Sequence, residues 1–356
     1  MPNPTPIQVT PRQLAAAIDH AFLSNNPIMV WGDGGLGKSR IAEQAAARAG
    51  RRYCDFRALI KDLPDLQGYP ILAGMHANEP APMTAPADLP PSNSAEPWAL
   101  VLEELPGAPR MMQAALYGLI LERRLNQYRL PVDCRIIATG NKATSGGVVQ
   151  AMPKPLASRF KHYELICCPD ESLAHAIAND WHPFVTAYHA MTKGTDWINF
   201  DPKSTEETYA CPRAWEMVST DLHAGQIPAD LLTPMLAGTL GYGIGQKFAG
   251  FCRLYSDLAP TLAEMKTAPD TAPIPEDAAA QWFIAATIAS SSKEAQANPI
   301  GFAAWAIPFI CRLSDELAVF AMNAATRHTP QLAKTPEFIN RFAKNPRFAA
   351  LAQFCK

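Results

Sequence analysis

The sequence predicts an α/β fold, with a parallel sheet covered by helices on both faces, followed by an all-helical region. Three observations carry that reading. Short apolar runs alternate with helical segments from about residue 10 to residue 165. One of these runs leads at once into a glycine-rich turn and a helix. Beyond residue 165 the alternation stops, and Ala, Leu, Ile and Phe recur at helical spacing. The expected division is an α/β domain over residues 1–165 and a helical region over 166–356.

The elements follow in order. Thr10-Pro11-Arg12-Gln13 reads as a capping box with Pro at the first helical position, opening a helix to about Leu23. Asn25-Asn26-Pro27 ends it, because Pro cannot continue a helix and restricts the residue before it. Ile28-Met29-Val30-Trp31 is wholly apolar, as a strand buried on both faces requires. A helix is expected over residues 38–49 and a second strand over 52–57. Residues 98–102 form a third strand, 110–125 a long helix and 134–139 a fourth strand. Asn126 to Leu130 reads as a hairpin, with Tyr128 inside it. Residues 78–97 are crowded with Pro, Ala and Ser and read as a surface excursion, an insertion near 76–97. Helices are expected over 171–178, 212–223, 230–258, 276–290 and 300–325, with a Pro-rich joint at 268–275. Phe302, Trp305 and Phe309 fall on one apolar face there, as core residues would.

Composition narrows the function. Hydrophobic residues make up 48% and charged residues 18%, so a sizeable core is available and wholesale disorder is excluded. A net charge of −2 gives no footprint for nucleic acid or an anionic membrane. No uncharged stretch is long enough to span a bilayer. The start, Met1-Pro2-Asn3-Pro4-Thr5, lacks the basic and apolar regions of a signal peptide, so a cytoplasmic protein is expected. The eight cysteines contain no C-x-x-C pair, which points to free thiols and excludes zinc ribbons and redox pairs. His175, His182 and His189 recur every seven residues, whereas metal ligands on a helix need spacings of three or four.

Gly32-Asp33-Gly34-Gly35-Leu36-Gly37-Lys38-Ser39 fits G-x-x-x-x-G-K-[ST], with a strand before it and a helix after it. Glycines let the backbone curl so that successive N–H groups face a phosphate chain at a helix N-terminus. Lys38 would contact the β- and γ-phosphates, and the Ser39 hydroxyl would hold Mg²⁺. Such a loop needs a metal-holding carboxylate on a nearby strand end. Trp98-Ala99-Leu100-Val101-Leu102-Glu103-Glu104 supplies two acids. Alternation points them apart, so Glu103 can reach the Mg²⁺ water shell and Glu104 the water that attacks the γ-phosphate. The next strand ends at Asn141, whose amide could bond both the γ-phosphate and that water. Guanine recognition would want N-K-x-D, but Asn141-Lys142-Ala143-Thr144 has Thr at the acidic position, which favours ATP.

The order of these motifs, followed by Pro155-Leu156-Ala157-Ser158-Arg159-Phe160 and Cys211-Pro212-Arg213-Ala214-Trp215-Glu216, resembles the AAA+ ATPases. Within them it resembles the MoxR branch, supported by Asp62-Leu63-Pro64-Asp65-Leu66-Gln67-Gly68 and Leu121-Glu122-Arg123-Arg124-Leu125. The resemblance covers about residues 28–219. It implies that Asn141 is sensor 1, Arg159 the arginine finger and Arg213 sensor 2, with the helical region serving as a lid and its C-terminal extension. One position departs: Glu103 stands where the family usually has Asp. The resemblance further implies ATP hydrolysis with Mg²⁺ in a ring homo-oligomer of hexamer type, and chaperone-like remodelling of a protein client. It also implies a separate von Willebrand factor A domain partner, and Tyr128 could project into the ring pore or be an ordinary cross-strand aromatic. Two alternatives stay open, a DNA-acting P-loop ATPase of loader or helicase type and a nucleotide-dependent scaffold with little turnover.

Overall fold

In the computed structural model, the described residues are 7–73, 81–142, 152–225, 227–256 and 262–348. The chain divides into two units, Met1–Cys168 and Pro169–Lys356.

Among its described residues the first unit has eight strands: β1 (Ile7–Val9), β2 (Ile28–Trp31), β3 (Arg52–Arg57), β4 (Trp98–Glu103), β5 (Arg124–Leu125), β6 (Tyr128–Arg129), β7 (Cys134–Gly140) and β8 (Lys161–Leu165). Six of them form one sheet in the order β1-β8-β2-β7-β4-β3, with every pair parallel. All six C-terminal ends therefore lie along one edge. The helices are α1 (Pro11–Ser24), α2 (Lys38–Arg48), α3 (Leu63–Gln67), α4 (Arg110–Glu122) and α5 (Lys154–Ala157).

Residue alternation explains why both faces need covering. Ile28 and Val30 of β2, Ala99 and Val101 of β4, and Ile137 of β7 pack with Leu14, Ile18 and Phe22 of α1 and Ala42, Ala45 and Ala46 of α2. Met29, Leu100, Leu102, Ile136 and Ala138 point the other way, into a cluster with Met112, Leu116 and Leu119 of α4. An apolar side chain of this size contributes about 1.5–3 kcal/mol when fully buried, so neither face could be left to water. The α1 capping box forms as expected: the Gln13 N–H donates to Thr10 Oγ1 at 3.3 Å and the Thr10 N–H to Gln13 Oε1 at 3.0 Å.

Some expectations need correction. The helix expected over 110–125 stops at Glu122, because Arg123 turns left-handed (φ 59°) and Arg124–Leu125 pairs with Tyr128–Arg129. Tyr128 is a buried cross-strand residue opposite Leu125, and its hydroxyl donates to the Pro90 carbonyl at 2.6 Å. Its phenol is thus spent on tethering the Pro-rich excursion, and the pore placement is overturned. That excursion carries no helix or strand over its described residues, apart from one bridge between Pro70 and Met83; residues 74–80 lie outside the described residues.

The second unit is helical: α6 (Pro169–Ala178), α7 (Pro183–Met191), α8 (Pro212–His223), α9 (Ala229–Leu240), α10 (Tyr242–Ser256), α11 (Leu262–Thr267), α12 (Ala278–Ser291), α13 (Glu294–Ala297), α14 (Pro299–Ile310) and α15 (Asp315–His328). The single helix expected over 230–258 is two, split at Gly241. That residue has φ +83°, and a Cβ there would lie 2.6 Å from Glu206 Oε2. The helix expected over 300–325 is likewise α14 and α15, with Ser314 at the N-cap of the second. Phe302, Trp305 and Phe309 are buried in the core of this unit.

Candidate nucleotide site

Strand order places the predicted residues together. β2 leads into the glycine loop, β7 lies beside it, and β4 lies beside β7. The C-terminal ends of these three neighbours deliver Gly32, Asn141 and Glu103 to the same stretch of sheet edge.

The loop has the backbone its glycines allow. Gly35 and Gly37 adopt φ +80° and +86°, a region that side chains strain to enter. Gly37 is the N-cap of α2, so Lys38 and Ser39 open the helix, where N–H groups point outward. Ser39 is exposed; Asp33, Gly34, Gly35 and Leu36 are half-buried. Lys38 is only 7% exposed, and its ammonium donates to the carbonyls of Gly32 (2.8 Å) and Asp33 (3.0 Å) and to Asn141 Oδ1 (2.9 Å). The lysine is held within the loop.

Asn141 is the hinge of the arrangement. Its Oδ1 accepts from Lys38, and its Nδ2 donates to Glu104 Oε1 at 3.1 Å. One amide therefore joins the loop cation to the second acid. Gly140, just before it, allows a close approach: a Cβ there would lie 2.6 Å from the Pro106 ring and 2.8 Å from the Met29 methyl.

The two acids occupy different settings, and a turn of the backbone at Glu104, not strand alternation, separates them. Glu104 leaves the strand in a left-handed conformation (φ 53°, ψ 36°) and caps the 3₁₀ turn Leu105–Gly107. Glu103 is the last residue of β4 and is 8% exposed. Its Oε2 accepts from the Thr139 hydroxyl, while its Oε1 is buried with no hydrogen-bond partner among the described residues. The same Thr139 oxygen accepts the Glu104 N–H at 3.3 Å. Nearby, burial and then the Glu103 carboxylate hold the Tyr53 phenol far above its ordinary pKa.

A buried carboxylate oxygen without a donor is costly unless a cation or its water faces it. That orphaned oxygen, with the Ser39 hydroxyl on the helix N-terminus, is a donor set suited to Mg²⁺, which favours carboxylate and hydroxyl oxygens. The residues fit the ion. Among the described residues no cluster of three or more His, Cys, Asp and Glu could hold a metal by itself, and the three histidines spaced by seven form none.

The two arginines lie on other elements. Arg159 is exposed, just after α5, with its guanidinium carbon 6.0 Å from the Tyr117 ring centroid on α4. Arg213 is exposed on the first turn of α8, in the second unit.

Three features escaped the sequence reading. Thr139 bonds both acids, and a hydroxyl ending the apolar run Ile136-Ile137-Ala138 was the available signal. The Lys142 ammonium pairs with the buried Glu164 carboxylate of β8, and Trp31 bonds His162 of β8. Neither could be seen before β8 was known.

The chain thus has a P-loop α/β fold with a helical region after it. No protein-family model matches the chain, and no curated protein matches it either. Among solved structures it is similar to NtrX from Brucella abortus in complex with ADP, at 14% identity and a TM-score of 0.35, over 91% of this chain and 64% of that one. It is also similar to a RuvB mutant from Thermotoga maritima, at 13% identity and a TM-score of 0.38, over 94% and 88% of the two chains. The chain therefore spans slightly less than two thirds of the NtrX length. No helix among the described residues is long and apolar enough to cross a membrane.

Proposed function

We propose that the protein is an AAA+ ATPase of MoxR type, coupling ATP hydrolysis in a ring to remodelling of a protein client. The observation that carries this reading is the chain of hydrogen bonds from Lys38 through Asn141 to Glu104. It ties a phosphate-binding cation to a carboxylate through an amide able to report on both. Motif order supports the MoxR assignment, and with it the von Willebrand factor A domain partner.

In this reading the 32–39 loop wraps the phosphates, and Lys38 binds their oxygens. Ser39 and Glu103 would hold Mg²⁺, which would neutralise phosphate charge. Asn141 keeps Glu104 oriented, and a Glu104 carboxylate oxygen takes the proton from the attacking water. As the water oxygen bonds to the γ-phosphorus, the bond to the ADP oxygen breaks. Arg159 of one subunit supplies charge to the neighbouring site in the transition state.

Phosphate release, measured with molecular mass in solution, tests the reading. ATP and Mg²⁺ should drive assembly, and hydrolysis should follow the assembled fraction. A chain that stays monomeric with ATP and Mg²⁺ yet hydrolyses normally would remove the ring. Tight salt-sensitive binding to DNA with DNA-stimulated turnover would favour the loader or helicase alternative.

A further inference from the structure

His162 stands on β8 with both ring nitrogens engaged. The Trp31 indole N–H donates to its Nδ1 at 2.9 Å, and its Nε2 lies 2.7 Å from the Ala157 carbonyl. Trp is only a donor, so Nδ1 must be the acceptor and the neutral ring carries its proton on Nε2, which donates to Ala157. The two rings lie nearly coplanar and edge to edge, with centroids 6.0 Å apart and planes at 16°, as an in-plane N–H···N bond requires.

The two partners have quite different neighbours. Trp31 ends β2 and immediately precedes Gly32, the first residue of the phosphate-loop motif. Ala157 ends α5, and its carbonyl also accepts the Phe160 N–H at 3.1 Å. Between Ala157 and Phe160 the chain makes one turn, closed further by the Arg159 N–H to Leu156 carbonyl bond at 3.1 Å. Leu156 and Phe160 are buried on either side of that turn, leaving Ser158 and Arg159 exposed. A single imidazole therefore bridges the strand end that opens the phosphate loop and the turn that presents Arg159.

We propose that His162 is a positioning residue that fixes the Arg159 turn against the base of the phosphate loop. The inference rests on the reading of Arg159 as a finger. It adds the means by which an exposed arginine on a short turn is held in register with its own subunit's loop. A guanidinium stabilises charge only where it is held, so a loosened turn costs turnover while leaving ATP affinity in place.

The variants separate positioning from plain stability. His162→Phe keeps a flat ring beside Trp31 but offers no acceptor and no donor. His162→Gln offers both. Trp31→Phe removes one bond and leaves the other. Turnover should fall ~tenfold in His162→Phe and by a smaller factor in Trp31→Phe, with ATP affinity within about twofold of the parent. His162→Gln should recover most of the loss. Mixed with Lys38→Ala subunits, His162→Phe should gain activity, because its loop is intact and its partner's finger is well placed. Without nucleotide, amide hydrogen exchange at Arg159 and Phe160 should quicken in His162→Phe and stay parental in Lys38→Ala.

Parental turnover and exchange in His162→Phe would overturn the proposal. So would ATP affinity that falls in step with turnover, since that assigns His162 to the loop alone. Arg159→Ala is the control for the underlying reading. If it keeps full turnover, the finger assignment fails and this inference falls with it. If it loses turnover while His162→Phe does not, only the positioning role is lost.

Discussion

The two units bury polar groups in opposite ways. At the sheet edge, Lys38, Asn141, Glu104, Thr139 and Glu103 form one hydrogen-bonded chain, and Glu103 Oε1 at its end has no partner among the described residues. In the helical unit, His189 is 1% exposed, stacked on Trp197 with ring centroids 3.5 Å apart and planes at 3°, with Trp215 edge-on at 4.3 Å. Neither His189 nitrogen has a hydrogen-bond partner among the described residues. Both regions bear a desolvation cost, but of different kinds. The sheet edge keeps charge and a bare oxygen, which makes sense where a charged ligand completes the set. The aromatic cage holds a ring whose polarity goes unused, and that ring acts as a flat apolar plate. Polar-to-apolar replacement should therefore destroy function in the first unit and leave the second intact.

The largest effect should come from Glu104. Glu104→Gln keeps the shape and can still bond Asn141, but it cannot take a proton from water. Turnover should drop by ~10²–10⁴ with ATP still bound, whereas Lys38→Ala should lose binding itself. Equilibrium binding and single-turnover hydrolysis distinguish the two. Hydrolysis by Glu104→Gln at the parental rate would show that the sheet edge does not work as described.

Glu103 sharpens the contrast at a smaller scale. Glu103→Ala removes the orphaned oxygen and strands the Thr139 hydroxyl, so turnover should fall at least ~tenfold, with a higher Mg²⁺ requirement. Glu103→Asp keeps the charge one methylene further back and should be tolerated or activating. A Mg²⁺ titration of hydrolysis reads both. An Ala variant with the parental Mg²⁺ dependence would leave the bare oxygen without a role.

How much of this was readable beforehand depends on where each signal is stored. The glycine loop was legible because Gly35 and Gly37 encode a backbone path in residue type alone. Glu103 and Glu104 were legible as acids ending an apolar strand. β1 and β8 were not. They have three and five residues, and Gln8, Lys161, His162 and Glu164 interrupt any apolar run. Their pairing is settled by long-range contacts, Ile7 with Tyr163 and Trp31 with Glu164, that no local window contains. The same blindness hid the Trp31–His162 and Lys142–Glu164 contacts. The split at Gly241 was visible as a glycine, yet its meaning depended on Glu206, thirty-five positions earlier in the chain. Fold class and the phosphate loop are local messages; the parts that steady the site are not.

The smallest effect is expected in the aromatic cage, and it concerns pH. Burial holds His189 well below the usual histidine range, and burial with the neighbouring His223 lowers His182 to about 4. In the unfolded chain both titrate near ~6.5. A folded-state pKa below the unfolded one means that the unfolded chain binds the extra protons. The stability conferred by keeping these rings neutral is thus complete above pH ~6.5 and is lost as pH falls below it, through about 4 for His182. The folded protein should melt at steadily lower temperature from pH 7 to pH 5. His189→Phe keeps a flat ring against Trp197 and removes two unpartnered nitrogens, so at pH 8 its stability should lie within about 1 kcal/mol of the parent. Its melting temperature should also fall less steeply with acid, the remaining slope including the His182 share. Melting curves for parent and variant at half-unit pH steps measure this directly. Parallel curves would mean that His189 is not held neutral, and the contrast between the two units would then rest on the sheet edge alone.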